Sequence, residues 1–149
     1  MDFANGGTLK YHLNRRKFKE TEARFYIVEI LLAIEYIHKI GYVYRDLKLE
    51  NVLLDSRGHV KLIDFGLSKK LTHYENEVEE KTDTFCGTPE YLSPEVISRQ
   101  CYGVSADFWS FGVIMYALLT GKYPFSSQQR SKKEMFEDIC QEPVELPDC

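Results

Sequence analysis

Residues 105–120, SADFWSFGVIMYALLT, are apolar nearly all the way round a helical turn, and this stretch constrains the fold more than any other. Phe108, Trp109, Phe111, Val113, Ile114, Met115, Leu118 and Leu119 leave no broad polar face. A helix of that kind belongs in the middle of a domain, with other elements packed around it. Gly121 supplies a residue suited to the left-handed end of a helix, and Pro124 blocks any continuation. The rest of the chain must therefore provide elements to wrap this one.

One such element lies in residues 21–40. Ala23, Ile27, Ile30, Leu31, Ile34 and Ile37 recur at spacings of three and four, which places them on one face. Thr21 is the expected N-cap and Gly41 the expected terminator. A short helix is expected over residues 8–15 and a weaker one over 131–140. Between them the period changes. Val52–Leu54 and Val60–Ile63 are β-type runs joined by a turn containing Ser56, Arg57 and Gly58, so a hairpin is expected. Residues 67–92 keep no period and are rich in charge, Thr and Gly, which reads as a long ordered or switchable loop.

The bulk properties exclude several function classes. The 149 residues amount to one domain or part of one. A net charge of −4 offers no basic field for nucleic acid, and no apolar run approaches the roughly 18 residues that span a bilayer. The four cysteines (Cys86, Cys101, Cys140 and Cys149) form no C-x-x-C pair, so free thiols in a reducing compartment are expected, not a metal site. With no signal-peptide pattern at the N-terminus, the expectation is an intracellular protein, cytoplasmic or nuclear.

The chemistry is concentrated around the hairpin. YRDLKLENVLL, residues 44–54, brings Asp46, Lys48 and Asn51 together just before the first β-run, and Asp64-Phe65-Gly66 follows the second. The hairpin folds the chain back, so Asn51 and Asp64 are expected side by side. Two oxygen donors held in this way suit Mg²⁺, which takes one or two protein oxygens and completes its shell with water and phosphate. Asp46 is placed to accept a hydroxyl proton, and Lys48 puts positive charge where a transferring phosphate gathers negative charge.

The motifs occur in one order: R-D-x-K-x-x-N, D-F-G, Cys86-Gly87-Thr88-Pro89-Glu90-Tyr91, Ser93-Pro94-Glu95, and Asp107-x-Trp109. This series resembles the eukaryotic protein kinase superfamily over essentially the whole chain, and specifically the AGC group of serine/threonine kinases. The resemblance implies a protein-kinase-like fold, C-lobe only: mainly α, with a small β-hairpin carrying the catalytic and D-F-G segments. It implies ATP and Mg²⁺ as cofactors. Asp46 becomes the catalytic base, Lys48 a contact to the γ-phosphate, and Asn51 and Asp64 the metal ligands. Lys48 and Thr88 mark the serine/threonine class. Asp2 and Ala4 would offer backbone groups to adenine, with Leu53 beneath the ring. Tyr44, in place of the commoner histidine, would stack with Phe65, and Asp107 would hold the backbone of the catalytic loop.

The same resemblance implies regulation and substrate choice. Thr84 stands at the position of an activating phosphothreonine set by an upstream kinase, with Arg45 and Lys69 as its basic partners. The acidic run from Glu75 to Glu80 is a solvated stretch or a competitor for those partners. Phe85, Pro89 and Leu92 would line an apolar pocket for the residue after the phosphoacceptor, and Glu50 would favour an arginine before it. Two further positions that often read basic residues in this group are here Thr8 and Ala117, so a weak, single-site arginine preference is expected. Partners are thus protein substrates with a nearby basic residue.

Residues 1–149 would make a partial kinase domain: Met1 aligns with the gatekeeper, the glycine-rich loop and its lysine are not in the chain, and Glu95 has no later arginine to pair with. A buried carboxylate left unpaired costs about 3–5 kcal/mol. Two readings follow. The chain is either a portion of a longer active kinase, or a short product that is catalytically dead and acts as a decoy or regulatory binding module. The intact Asp46, Asn51 and Asp64 favour the first, and in either case the chain alone is expected to be inactive.

Overall fold

The computed structural model describes residues 5–71, 82–125 and 131–144. Five α-helices are present among them: α1 (Leu9–Arg15), α2 (Glu20–Lys39), α3 (Pro94–Ile97), α4 (Ser105–Thr120) and α5 (Lys132–Gln141). Four short strands form two antiparallel pairs. β1 (Tyr42–Val43) pairs with β4 (Lys69–Lys70), and β2 (Val52–Leu54) pairs with β3 (Val60–Leu62) in the register Val52↔Leu62.

The helix over 105–120 has the expected bounds and closes on Gly121 at φ 78°. It packs lengthwise against α2. Ile30, Ile34, Phe111, Ile114 and Leu118 meet there in one core cluster that also takes in Tyr44, Leu47 and Leu49 of the expected catalytic loop. The loop is thus a layer of the hydrophobic core, and that burial fixes its backbone. Burial of α4 is less complete than its composition predicts. Phe108 is 47% exposed and Leu119 is 47% exposed, because α2 and the catalytic loop cover one side only. Similarly on α2, Leu31 is exposed and Ile27 half-buried, while Ala23, Ile30, Ile34 and Ile37 form the packed stripe.

The two ends of α2 are set by different residues. Its start is not capped by Thr21, which lies inside the helix; the N-cap position is Lys19. The Glu22 carboxylate accepts the Lys19 backbone N–H at 2.9 Å and the Arg16 guanidinium in a fork at 2.8 and 2.9 Å. A side chain in the first turn therefore does the capping, from the reverse direction to the one Thr21 would have used. The far end matches expectation, with Gly41 at φ 80° ending the helix.

Before α1, Gly6 and Gly7 run against β2: the Gly6 N–H donates to Leu54 O and the Leu54 N–H donates to Gly7 O, both at 2.9 Å. A Cβ on Gly6 would stand 2.6 Å from Leu54 Cβ, so only glycine permits this approach. Thr8 bridges to Leu53, and its hydroxyl caps α1 by accepting the Tyr11 N–H at 3.1 Å. Ser131 caps α5, with Glu134 completing the reciprocal box. Within the loop expected over 67–92, β4 and a 3₁₀ turn (Pro89–Tyr91) supply regular structure among the described residues. The run from Glu75 to Glu80 lies outside those residues, as do Asp2 and Ala4.

Candidate active site

Asp107 organises the site from below. It is 1% exposed at the start of α4, and its two oxygens accept the Tyr44 N–H and the Arg45 N–H, each at 2.8 Å. His38, at the end of α2, lies 2.7 Å from the same carboxylate. Arg45 sits at φ 69°, in the left-handed region that non-glycine residues rarely adopt. Its N–H bond to Asp107 holds that conformation. From the first turn of α4 its carboxylate thus satisfies backbone donors of the segment before Asp46.

Asp46, one residue on, is 7% exposed. Its Oδ2 accepts Lys48 Nζ at 2.7 Å and Asn51 Nδ2 at 3.1 Å, while Oδ1 accepts the Thr88 hydroxyl at 3.0 Å. Lys48 Nζ also donates to Thr88 Oγ1 at 3.0 Å. Four residues called from the sequence, 42 positions apart at the widest, thus meet around one carboxylate. A carboxylate offers two lone pairs on each oxygen. Among the described residues Oδ2 has two donors and Oδ1 has one, so Oδ1 keeps a lone pair able to accept a further hydrogen bond.

Asn51 also donates from Nδ2 to Asp46 O at 2.9 Å, which turns its amide oxygen away from Asp46. The β2–β3 pairing carries on past its last ladder position, with the Ile63 N–H donating to Asn51 O at 3.0 Å. Asn51 therefore lies across from Ile63, and Asp64 comes next. Asp64 takes φ 60° and accepts the Gly66 N–H on Oδ1 at 3.2 Å, and its other oxygen has no partner among the described residues. The oxygens on offer to a metal are one amide oxygen, of Asn51, and one carboxylate oxygen, of Asp64. No group of three or more His, Cys, Asp or Glu residues able to hold a metal exists among the described residues. Such a sparse oxygen set fits Mg²⁺, which keeps waters and phosphate oxygens in its shell, better than an ion needing a full protein cage.

Tyr44 and Phe65 meet edge-to-face at 5.2 Å, and the Tyr44 hydroxyl donates to Ile63 O. Burial, reinforced by the Asp46 and Asp64 charges, pushes the Tyr44 phenol well above its ordinary range, so it remains a neutral donor. Phe65 is 51% exposed on its far side.

The basic partners expected for Thr84 converge one step short of it. Arg45 Nη1 and Lys69 Nζ both donate to Thr82 Oγ1, at 3.4 and 3.2 Å. Thr82 then donates to Thr84 Oγ1 at 3.3 Å. Thr82 is 2% exposed and bridges Tyr102 through two backbone bonds, and Tyr102 Oη donates to Thr84 O at 2.7 Å. Sequence reasoning missed Thr82; the only local signal was its spacing of two from Thr84, which in a strand puts two side chains on one face.

The remaining expectations fare unevenly. Glu95 is half-buried and accepts the Ser105 hydroxyl at 3.1 Å, so it is not the unpaired buried carboxylate anticipated. Leu92 is 5% exposed in a cluster with Val96, Tyr102 and Ala106. Phe85 packs on Phe136 and under Arg99. Of the three residues expected to line an apolar pocket, Phe85 and Pro89 retain accessible surface. Glu50 is exposed beside Lys10, and Leu53 is half-buried against Thr8.

Comparison with known proteins agrees with this geometry. Residues 1–147 match the Protein kinase domain family. The chain belongs to that family. It is 48% identical over 148 residues to the human serine/threonine-protein kinase Sgk2, covering 99% of this chain and 39% of that protein. Human Sgk1 is 48% identical over 147 residues, covering 98% of the chain and 33% of that protein, and protein kinase C-like 1 of Caenorhabditis elegans is 46% identical, covering 99% and 20%. This is accordingly a stretch of AGC-group serine/threonine kinase sequence, spanning about two fifths or less of the length of these relatives. No helix among the described residues is long and apolar enough to cross a membrane.

Proposed function

We propose that this chain supplies the catalytic-loop half of a protein serine/threonine kinase, moving the γ-phosphate of Mg-ATP to a protein hydroxyl. The observation that carries the reading is the single carboxylate, Asp46, ringed by Lys48, Asn51 and Thr88 with one lone pair on Oδ1 unused among the described residues. Mg-ATP, when bound, supplies the transferable phosphoryl group and the counter-charge around it. Asn51 Oδ1 and the open oxygen of Asp64 would hold the metal. Asp2 and Ala4 would meet the adenine from the hinge, with Leu53 beneath the ring.

The chain's own residues then do three things. Asp46 Oδ1 orients the substrate hydroxyl and receives its proton as the new P–O bond forms and the γ-phosphorus bond to the departing ADP oxygen breaks. Lys48, bonded to the other carboxylate oxygen, Oδ2, offsets negative charge that gathers on the transferring group. Thr88 ties Lys48 to Asp46, so the cation and the base keep one spacing. Asp107 acts through the backbone: it fixes Arg45 and thereby the direction of Asp46. Glu95 ties the segment after Thr88 to Ser105.

Thr84 is the proposed phosphoacceptor for an upstream kinase. Arg45 and Lys69 already meet 3.3 Å away at the Thr82 hydroxyl, so a phosphate on Thr84 reaches both cations with little rearrangement. For substrates, Glu50 selects a basic residue before the phosphoacceptor, and Phe85 with Pro89 and Leu92 favours an apolar residue after it. The 149 residues alone transfer phosphate negligibly, because positioning is nearly all of the catalysis and the phosphate-covering loop lies outside them.

The test replaces the matched segment of human Sgk2 with residues 1–149 of this chain, and assays a serine peptide with Mg-ATP. Incorporation of phosphate that requires both metal and ATP is expected. A folded fusion that phosphorylates tyrosine, or no peptide at all, refutes the reading.

A further inference from the structure

Lys10, Tyr123, Tyr91 and Glu50 form a closed ring beside the catalytic loop. Lys10 Nζ donates to Tyr123 Oη at 2.6 Å and lies 4.4 Å over the same ring. Tyr123 Oη and Tyr91 Oη are 2.9 Å apart, and Tyr91 Oη is 3.4 Å from Glu50 Oε2. Lys10 Nζ and Glu50 Oε1, 3.8 Å apart, close the ring. The proton directions are fixed by what each group can do. Lys10 and the Leu49 N–H only donate, the latter to Tyr91 Oη at 3.2 Å, and the carboxylate only accepts. One hydrogen per link then requires Tyr123 to donate to Tyr91 and Tyr91 to donate to Glu50. The dipoles run head to tail from ammonium to carboxylate, and each bond strengthens the next. Burial and the Tyr123 bond push the Tyr91 phenol far above its ordinary range, so this link keeps its proton.

We propose that Lys10 is a specificity-determining residue: an internal cation that occupies Glu50 and competes with a basic side chain of the substrate. The inference rests on the reading of Glu50 as the arginine-selecting group. A substrate guanidinium that approaches Glu50 must displace the ammonium or stand against it. Both cost affinity, and the nearby positions Thr8 and Ala117 hold no carboxylate to compensate. The kinase therefore discriminates weakly for arginine, and the discrimination is set by Lys10 as well as by the number of acidic residues. Glu50 is 44% exposed and Lys10 28%, so the pair is open enough for a competitor to reach and closed enough to hold its own partner.

The test is an NMR titration of the ¹⁵N-labelled 149-residue chain with argininamide, followed at the Glu50 and Tyr123 amides. Lys10→Met is expected to tighten binding about fivefold, the size of one exposed ion pair. Lys10→Gln, which keeps a donor for Tyr123 without the charge, is expected to give a similar gain. Lys133→Met on α5 removes the same charge elsewhere and should leave binding as in the parent chain. Glu50→Gln should erase the gain. Equal affinities for the parent and both Lys10 variants, no response in any of them, or the same gain from Lys133→Met would overturn the proposal. No ATP or turnover enters this measurement. A fused kinase active on serine peptides with an unchanged argininamide titration would sink the Lys10 inference alone, whereas an inactive fusion would leave it standing and sink the catalytic reading.

Discussion

At the scale of single residues, the fold's most consequential contacts belong to groups with no room to be wrong. Asp107 satisfies two buried backbone N–H groups and a histidine at once. Asp107→Ala leaves all three without a partner and removes the bond that holds Arg45 at positive φ. A loss of about 3–5 kcal/mol is expected in urea unfolding, larger than for a lone cavity of the same volume. Ser93 gives the opposite case. Its hydroxyl is buried and has no hydrogen-bond partner among the described residues, although it occupies the N-cap position of α3. Removing an unsatisfied hydroxyl from the interior relieves a desolvation cost of about 1 kcal/mol or more. Ser93→Ala should therefore raise the unfolding midpoint, and a clear drop would mean the hydroxyl has a partner not accounted for.

Secondary-structure elements were legible to the degree that their causes were local. The α4 stretch and its Gly121 stop, the Gly41 stop of α2 and the Val52–Leu62 hairpin all follow from period and turn residues within a few positions, and the structure has them where expected. The start of α2 did not follow, because Thr21 has the right chemistry for a cap but Glu22 has the better geometry, with Arg16 available to fix it. Two predictions belong here. Arg16, then the Lys19 N–H, hold the Glu22 carboxyl at about 2, below its ordinary 4.5. A depressed carboxyl stabilises the folded state fully above the unfolded value and loses that contribution as pH falls through the folded one. Between pH 4.5 and 2 the thermal midpoint should thus fall more steeply in the parent chain than in Glu22→Gln. The second concerns Gly6, where a methyl group would press on Leu54 Cβ and Leu54 O at 2.6 and 2.7 Å. Gly6→Ala should destabilise by about 1–3 kcal/mol and disturb the amide signals of Leu53 and Leu54 first.

On the scale of the whole molecule, what the sequence could not disclose was the set of contacts between distant segments. Motif order singled out Asp46, Lys48, Asn51, Asp64, Thr88 and Asp107 as candidates, but nothing local says that Thr82 gathers Arg45 and Lys69. Nor does it show that Lys10 reaches Tyr123, 113 positions away. Such pairings depend on how helices stack, and that is decided by total packing. The same limit explains α4: its composition is apolar nearly all round, yet the described elements cover only one side, and Phe108, Leu119 and Val144 remain exposed. An apolar surface of that kind binds hydrophobic dyes and promotes self-association. Leu119→Glu should lower anilinonaphthalene sulfonate emission from the 149-residue chain without lowering its unfolding midpoint.

The central claim is that the Asp46 carboxylate is the base of a phosphoryl-transfer site built by this chain. The most direct measurement is kcat and KM for ATP in the Sgk2 fusion with Asp46→Asn, which keeps the shape of the ring around Lys48, Asn51 and Thr88. A fall in kcat of about 10²–10⁴ is expected, with KM for ATP little changed. An Asp46→Asn fusion that turns over at the parent rate would contradict it.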